Sequence, residues 1–180
     1  MKATARALIA LSLGTGLALA PVSAEAQQRG VSDRRGDSTS HAVDITELVV
    51  RRTAHRITAN VTIPRMRAGR LSGTELLIKP SNRHKVYAVT ILRDRRGRVV
   101  DKSLTWRPLN DPIEPHVLPC SRIATSLRAH RTVVSVAADC LTKTRPRVRM
   151  RAKVRTVDGT TGLQGAYYDD QTRFTPLLRR

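Results

Sequence analysis

Aromatic residues are nearly missing from this chain: one Trp, three Tyr and one Phe in 180 residues. A core must therefore come from Val, Ile, Leu and Ala. The shortage also argues against a stacking surface for single-stranded nucleic acid, which interleaves rings with cations. Acidic residues are scarce as well, 14 against 33 Lys and Arg. No pair of them has a spacing that points to a glycosidase. There are two cysteines, Cys120 and Cys140, without the paired-ligand spacing of a zinc site with His116 or His130. A Gly-x-Ser-x-Gly elbow, a His-Glu-x-x-His helix and a phosphate-cradling glycine loop are all absent from the sequence. The five histidines (His41, His55, His84, His116 and His130) are scattered, mostly through turn-like stretches. These absences point to a binding or structural protein without cofactor, metal or catalytic residues. An unrecognised hydrolase assembled from distant residues is the enzymatic alternative.

Long apolar runs are also lacking, apart from residues 7–20. That run is too short to span a bilayer comfortably. Lys2 and Arg6 precede it, Pro21 breaks it, and Ala24-Glu25-Ala26 follows. This order predicts a signal peptide over residues 1–26 and export by the general secretory route. Its removal would take Lys2, Arg6 and Glu25, lowering the net charge from +19 to +18. A charge this high attracts polyanions. For an exported protein these are teichoic acid or acidic polysaccharide rather than intracellular nucleic acid. No later run is long enough for a membrane span. In an oxidising compartment, Cys120 and Cys140 most simply form one disulfide.

What the chain does have is alternation. Residues 27–40 are polar and predict a flexible leader, with Arg35-Gly36-Asp37 as a turn. A single domain is expected over residues 41–180. Apolar residues then recur at period 2. Val43, Ile45, Leu48 and Val50 suggest a strand with a phase slip near Glu47. Ile57, Ala59, Val61 and Ile63 give the cleanest half-buried strand. Residues 75–79 suggest a third. Residues 86–92 and 98–106 flank Asp94-Arg95-Arg96-Gly97 and read as a hairpin. Residues 108–119, with four prolines, read as a crossover or loop. Residues 123–127 and 132–137 predict a second hairpin, whose matching ends carry the two cysteines. Residues 158–180 read as a loose tail or an edge strand. The sum is an all-β, antiparallel sandwich of about eight short strands with little helix.

The most unusual strand covers residues 147–156. Val148, Met150, Ala152 and Val154 fall on one face; Arg147, Arg149, Arg151, Lys153 and Arg155 fall on the other. Like charges that close repel unless anions lie over them. Those five are the candidate anion-binding residues. The plainer reading is a solvated face, or an edge blunted by charge. Trp106, followed by Arg107-Pro108 at a strand end, is the candidate carbohydrate contact, with a carbohydrate-binding module as the alternative function. Asp169-Asp170 offers two carboxylates, too few for calcium, which takes six to eight oxygens.

In this layout the chain resembles a group of secreted actinobacterial proteins without an assigned activity. They carry a signal peptide and a Gly-Asp leader feeding two strands. A Cys-Leu pair, a Pro-preceded basic strand and an Asp-Asp segment follow. The matching residues are Gly36-Asp37, Cys140-Leu141, Pro146 with residues 147–155, and Asp169-Asp170. The resemblance covers most of the chain beyond residue 26. It implies an immunoglobulin-like or jelly-roll-type sandwich in the cell envelope or medium. The chain departs from the group at Ala137-Ala138-Asp139, where a Pro-Arg pair is expected before Cys140.

Overall fold

A computed structural model describes residues 26–81, 84–108, 115–141, 149–160 and 168–178. It contains two antiparallel sheets and, among the described residues, no α-helix. The strands are β1 (Gln27–Ser32), β2 (Glu47–Arg52), β3 (Arg56–Thr62), β4 (Leu71–Pro80), β5 (Lys85–Arg93), β6 (Val99–Pro108), β7 (His116–Leu118), β8 (Ile123–Arg128), β9 (Arg131–Ala137), β10 (Met150–Asp158) and β11 (Asp170–Gln171). One sheet has the order β1-β2-β3-β9-β8, the other β11-β10-β4-β5-β6-β7. The β-sandwich expected from the strand spacing is the fold observed. In the six-stranded sheet, β4, β5 and β6 form a meander and β10 returns to lie beside β4, a Greek-key arrangement.

The core follows from period-2 alternation. In β3, Ile57, Ala59 and Val61 are buried between half-buried polar neighbours. In β10, Met150, Ala152, Val154 and Thr156 point inward. They meet Leu48, Val50, Val134 and Val136 from the five-stranded sheet and Leu76, Ile78, Val89 and Ile91 from their own. Among the described residues, Tyr87 is the one ring that is fully inside. At ~25 cal/mol per Å² of buried apolar area, this aliphatic core is the main stabilising contribution.

Cys120 and Cys140 are joined, with Cα atoms 5.6 Å apart. The bond brackets the β8–β9 hairpin, whose turn is Ala129-His130. The β5–β6 hairpin also forms as expected. Asp94 Oδ1 accepts from the N–H groups of Arg96 and Arg98, and Gly97 takes φ +76°.

Several expectations are corrected. Residues 27–40 are not a flexible leader. β1 pairs along its whole length with β2, and the Asp33 N–H reaches the Thr46 carbonyl. An edge strand buries little, so a polar composition suits it and hides it from a periodicity reading. The strand expected from Val43 begins at Glu47 instead. Val43 and Ile45 are still buried, held in irregular backbone by the Asp170 carboxylate on the Ile45 N–H and by Thr156 Oγ1 on the Val43 carbonyl. The proline-rich segment contains a short strand, β7, between Pro115 and Pro119. It sits at the sheet edge, where a missing N–H costs least.

The C-terminal segment is an ordered strap along β10. Thr172, Thr175 and Leu178 donate their N–H groups to the carbonyls of Val154, Ala152 and Met150. The hydroxyls of Thr172 and Thr175 accept from the Val154 and Ala152 N–H groups. Residues 1–25, nearly all of the stretch expected to be a signal peptide, and residues 142–148 lie outside the described residues.

Candidate functional site

The outward positions of β10 face solvent beside the outward positions of β4, because the register pairs Arg151 with Lys79, Lys153 with Leu77 and Arg155 with Glu75. Side chains two residues apart on one face stand about 7 Å from one another. Of the five cations expected here, Arg147 lies outside the described residues. The other four fall into two pairs. Arg149 and Arg151 are exposed and, among the described residues, have no acidic partner. Arg151 also sits directly across from another cation, Lys79, an arrangement that costs stability unless an anion covers it.

Lys153 and Arg155 are half-buried and engaged. Lys153 donates to Gln171 Oε1 at 3.2 Å and lies over the Phe174 ring at 5.2 Å. Burial, and then repulsion from Arg155, pulls this ammonium below its usual range, with Glu75 opposing. Arg155 pairs with Glu75 at 3.4 Å and stacks on Tyr168 at 4.5 Å. Its Nε is buried without an acceptor. Burial, followed by the charge and hydrogen bond of Glu75, pushes the Tyr168 phenol up.

Next to Arg155 the face opens into a cleft of about 560 Å³. Glu75, Arg155, Tyr168 and Gln171 line one side; Thr105, Arg107 and Pro115 line the other. Ala88 lies in the floor, part of a small apolar cluster with Leu77 and Val86 that is separate from the main core. Two guanidinium groups, a phenol, an amide and a hydroxyl over an apolar floor suit a polyhydroxylated acid or a chain of phosphates. Glu75 is the one carboxylate among the described lining residues, and it is already engaged by Arg155 and Tyr168. A second carboxylate for acid–base work is not found among the described lining residues.

Sequence alternation located β10 but not its neighbours. Arg107, Thr105, Glu75 and Gln171 come from three other strands, and only their outward parity was readable. Trp106 points the other way, paired with the core residue Tyr87. It is half-buried, with His116 stacked at 4.4 Å and Lys85 Nζ at 3.6 Å from its ring centre. The five histidines are all exposed.

Asp169 and Asp170 diverge. Asp169 accepts from Thr39 Oγ1 and from the Asp158 N–H. Asp170 is buried close to Asp37 and Asp44, with carboxylate oxygens within 4.8 Å of one another. Burial, then Asp33 and Asp37, pushes Asp170 up to about 6, although the N–H groups of Ile45 and Gln171 oppose the shift. A carboxyl raised above its unfolded value binds its proton more tightly in the fold. Its contribution to stability is thus present at mildly acid pH and is lost as pH rises through about 6. The expected result is a stability that falls between about pH 4.5 and 7 in urea titrations, and a flatter profile in Asp170→Asn. An unchanged slope in that variant would remove Asp170 as the cause.

No protein-family model, curated protein or solved structure matches the chain. The class that the fold and this face define is a disulfide-linked antiparallel β-sandwich with a cationic sheet face.

Proposed function

We propose that this chain is an exported, non-catalytic β-sandwich that binds anionic cell-envelope polymers through the outer face of its six-stranded sheet. The observation that carries the reading is the exposed Arg149 and Arg151, without an acidic partner among the described residues, beside Lys79 and continuous with the Arg155–Arg107 cleft. Teichoic acid and acidic polysaccharide match this spacing because both repeat their charges along a chain. Export by a signal peptide over residues 1–26 is part of the proposal, as is kinship with the secreted actinobacterial group. A disulfide fits an oxidising compartment. Among the described residues, no helix is long and apolar enough to cross a membrane.

The test is binding of the oxidised protein to teichoic acid, heparin and a neutral glucan over a salt series. Polyanion affinity should drop steeply above about 0.1 M salt, as screening shortens the reach of exposed charges. Arg149→Glu/Arg151→Glu should weaken it by about tenfold or more, since each reversed charge turns attraction into repulsion. Equal binding by the variant would sink the reading. Binding of the glucan alone would favour a carbohydrate-binding module, for which the cleft wall formed by Tyr168 and Gln171 is the better placed surface.

A further inference from the structure

A second basic site lies at the far end of β10. The strand runs from Met150 to Asp158, so its ends are roughly 25 Å apart at the usual rise. Residues 64–70 cross from β3 to β4 and carry Arg65, Arg67 and Arg70. Together with Ser40, His41 and Ala42 they enclose a pocket of about 330 Å³. No carboxylate is among its described lining residues.

The loop is held in place before any ligand arrives. Met66 packs against the core, and its N–H donates to the Ile63 carbonyl. Arg70 and Leu71 donate to the Arg67 carbonyl, closing the turn. Gly69 lies so close to the β5–β6 turn that a Cβ there would collide with the Arg95 carbonyl oxygen. Arg70 is fixed in turn by Asp158, with Nε donating to Oδ1 at 2.7 Å and Nη2 to Oδ2. That pairing leaves Nη1 of Arg70 unused among the described residues. Arg65 and Arg67 are exposed, and no hydrogen bond or ion pair engages either side chain among the described residues.

We propose that this pocket is a binding site for one compact tetrahedral oxyanion, a phosphate or sulfate group, either free or as a monoester. The guanidinium forks of Arg65 and Arg67, unpaired among the described residues, and the spare nitrogen of Arg70 line one pocket and supply donors of the kind that grip such oxygens. The site does not depend on the sheet face proposed above, and the two share no residue.

Calorimetry of the oxidised protein with inorganic phosphate, sulfate and glycerol phosphate tests it, with sodium chloride at equal ionic strength as reference. One saturable site per chain is expected, with phosphate and sulfate competing. Tighter binding of glycerol phosphate would identify an ester as the natural form; tighter inorganic phosphate would identify the free ion. Arg65→Gln/Arg67→Gln alters only exposed side chains and should weaken binding by about tenfold or more. Arg149→Glu/Arg151→Glu should leave this binding intact, which separates failure here from failure of the sheet face. Heats matched by chloride, or unchanged affinity in Arg65→Gln/Arg67→Gln, would overturn the proposal.

Discussion

Replacing Asp158 with Ala is expected to destabilise the fold by about 3 kcal/mol, the low end for breaking a buried ion pair from one side. Its side chain is fully buried, whereas that of Arg70 is 37% exposed. The stranded cation can therefore hydrate in part, which keeps the loss from the upper end of that range. The carboxylate does more than pair with Arg70. It accepts from the Ser40 hydroxyl and from both the N–H and the hydroxyl of Thr160. Burial alone would raise its pKa, but these donors outweigh it and hold the group well below the usual carboxylate range. A depressed carboxyl contributes stability that is present above its unfolded value and lost as pH falls below about 4. The Ala variant should accordingly show a shallower acid limb in urea titrations, besides its lower midpoint at neutral pH. A loss below about 1 kcal/mol would mean that the network is no more than a surface pair.

Reducing the Cys120–Cys140 bond should cost a similar amount, about 3 kcal/mol, through the freed loop entropy of the unfolded chain. The effect should also be local. β8 is a sheet edge bonded to β9 alone, so it has few other ties. Hydrogen exchange should quicken in β8 and the adjoining end of β9 before it does in β4, which is flanked by β5 and β10. Uniform quickening across both sheets would instead point to a purely global effect on the unfolded state. Since aliphatic side chains supply nearly all the core, this single cross-link contributes a sizeable part of a margin that is typically about 5–15 kcal/mol.

The sandwich was readable from sequence where one face of a strand is buried and the other is wet. β3 and β8 meet that condition; β5 is largely buried on both faces and was readable from its β-forming residues and the Asp94–Gly97 turn chemistry instead. β1 was not readable, because Gln27–Ser32 buries almost nothing and is held by ladder bonds to β2. β7 was hidden by its flanking prolines. The basic stripe was visible as a period, but its electrostatics were not. Glu75 neutralises Arg155 only because β4 pairs with β10 across some 80 residues of chain. Tyr168 and Gln171 reach the same face through a segment whose order depends on Asp169, Thr172 and Thr175, none of which carries a periodic signal. The Arg65–Arg67–Arg70 loop lacks alternation altogether, and its meaning depends on Ser40, at the end of a stretch that composition alone marks as unstructured, and on His41 just after it.

The strap along β10 has a bearing on what this molecule can do at high local concentration. Its contacts fall at Thr172, Thr175 and Leu178, against Val154, Ala152 and Met150. It thus advances three residues for every two of the strand it covers, and two of its acceptors are hydroxyls. Beyond Asp170–Gln171 it satisfies β10 without becoming a ladder itself. A second chain approaching that side would find donors and acceptors out of step with its own repeat. Growth of the sheet is halted there by a mismatch of period, independent of salt. Arg149 and Arg151 are then released from any duty of guarding an edge, and remain available to a ligand in media where charge alone would not keep neighbouring copies apart.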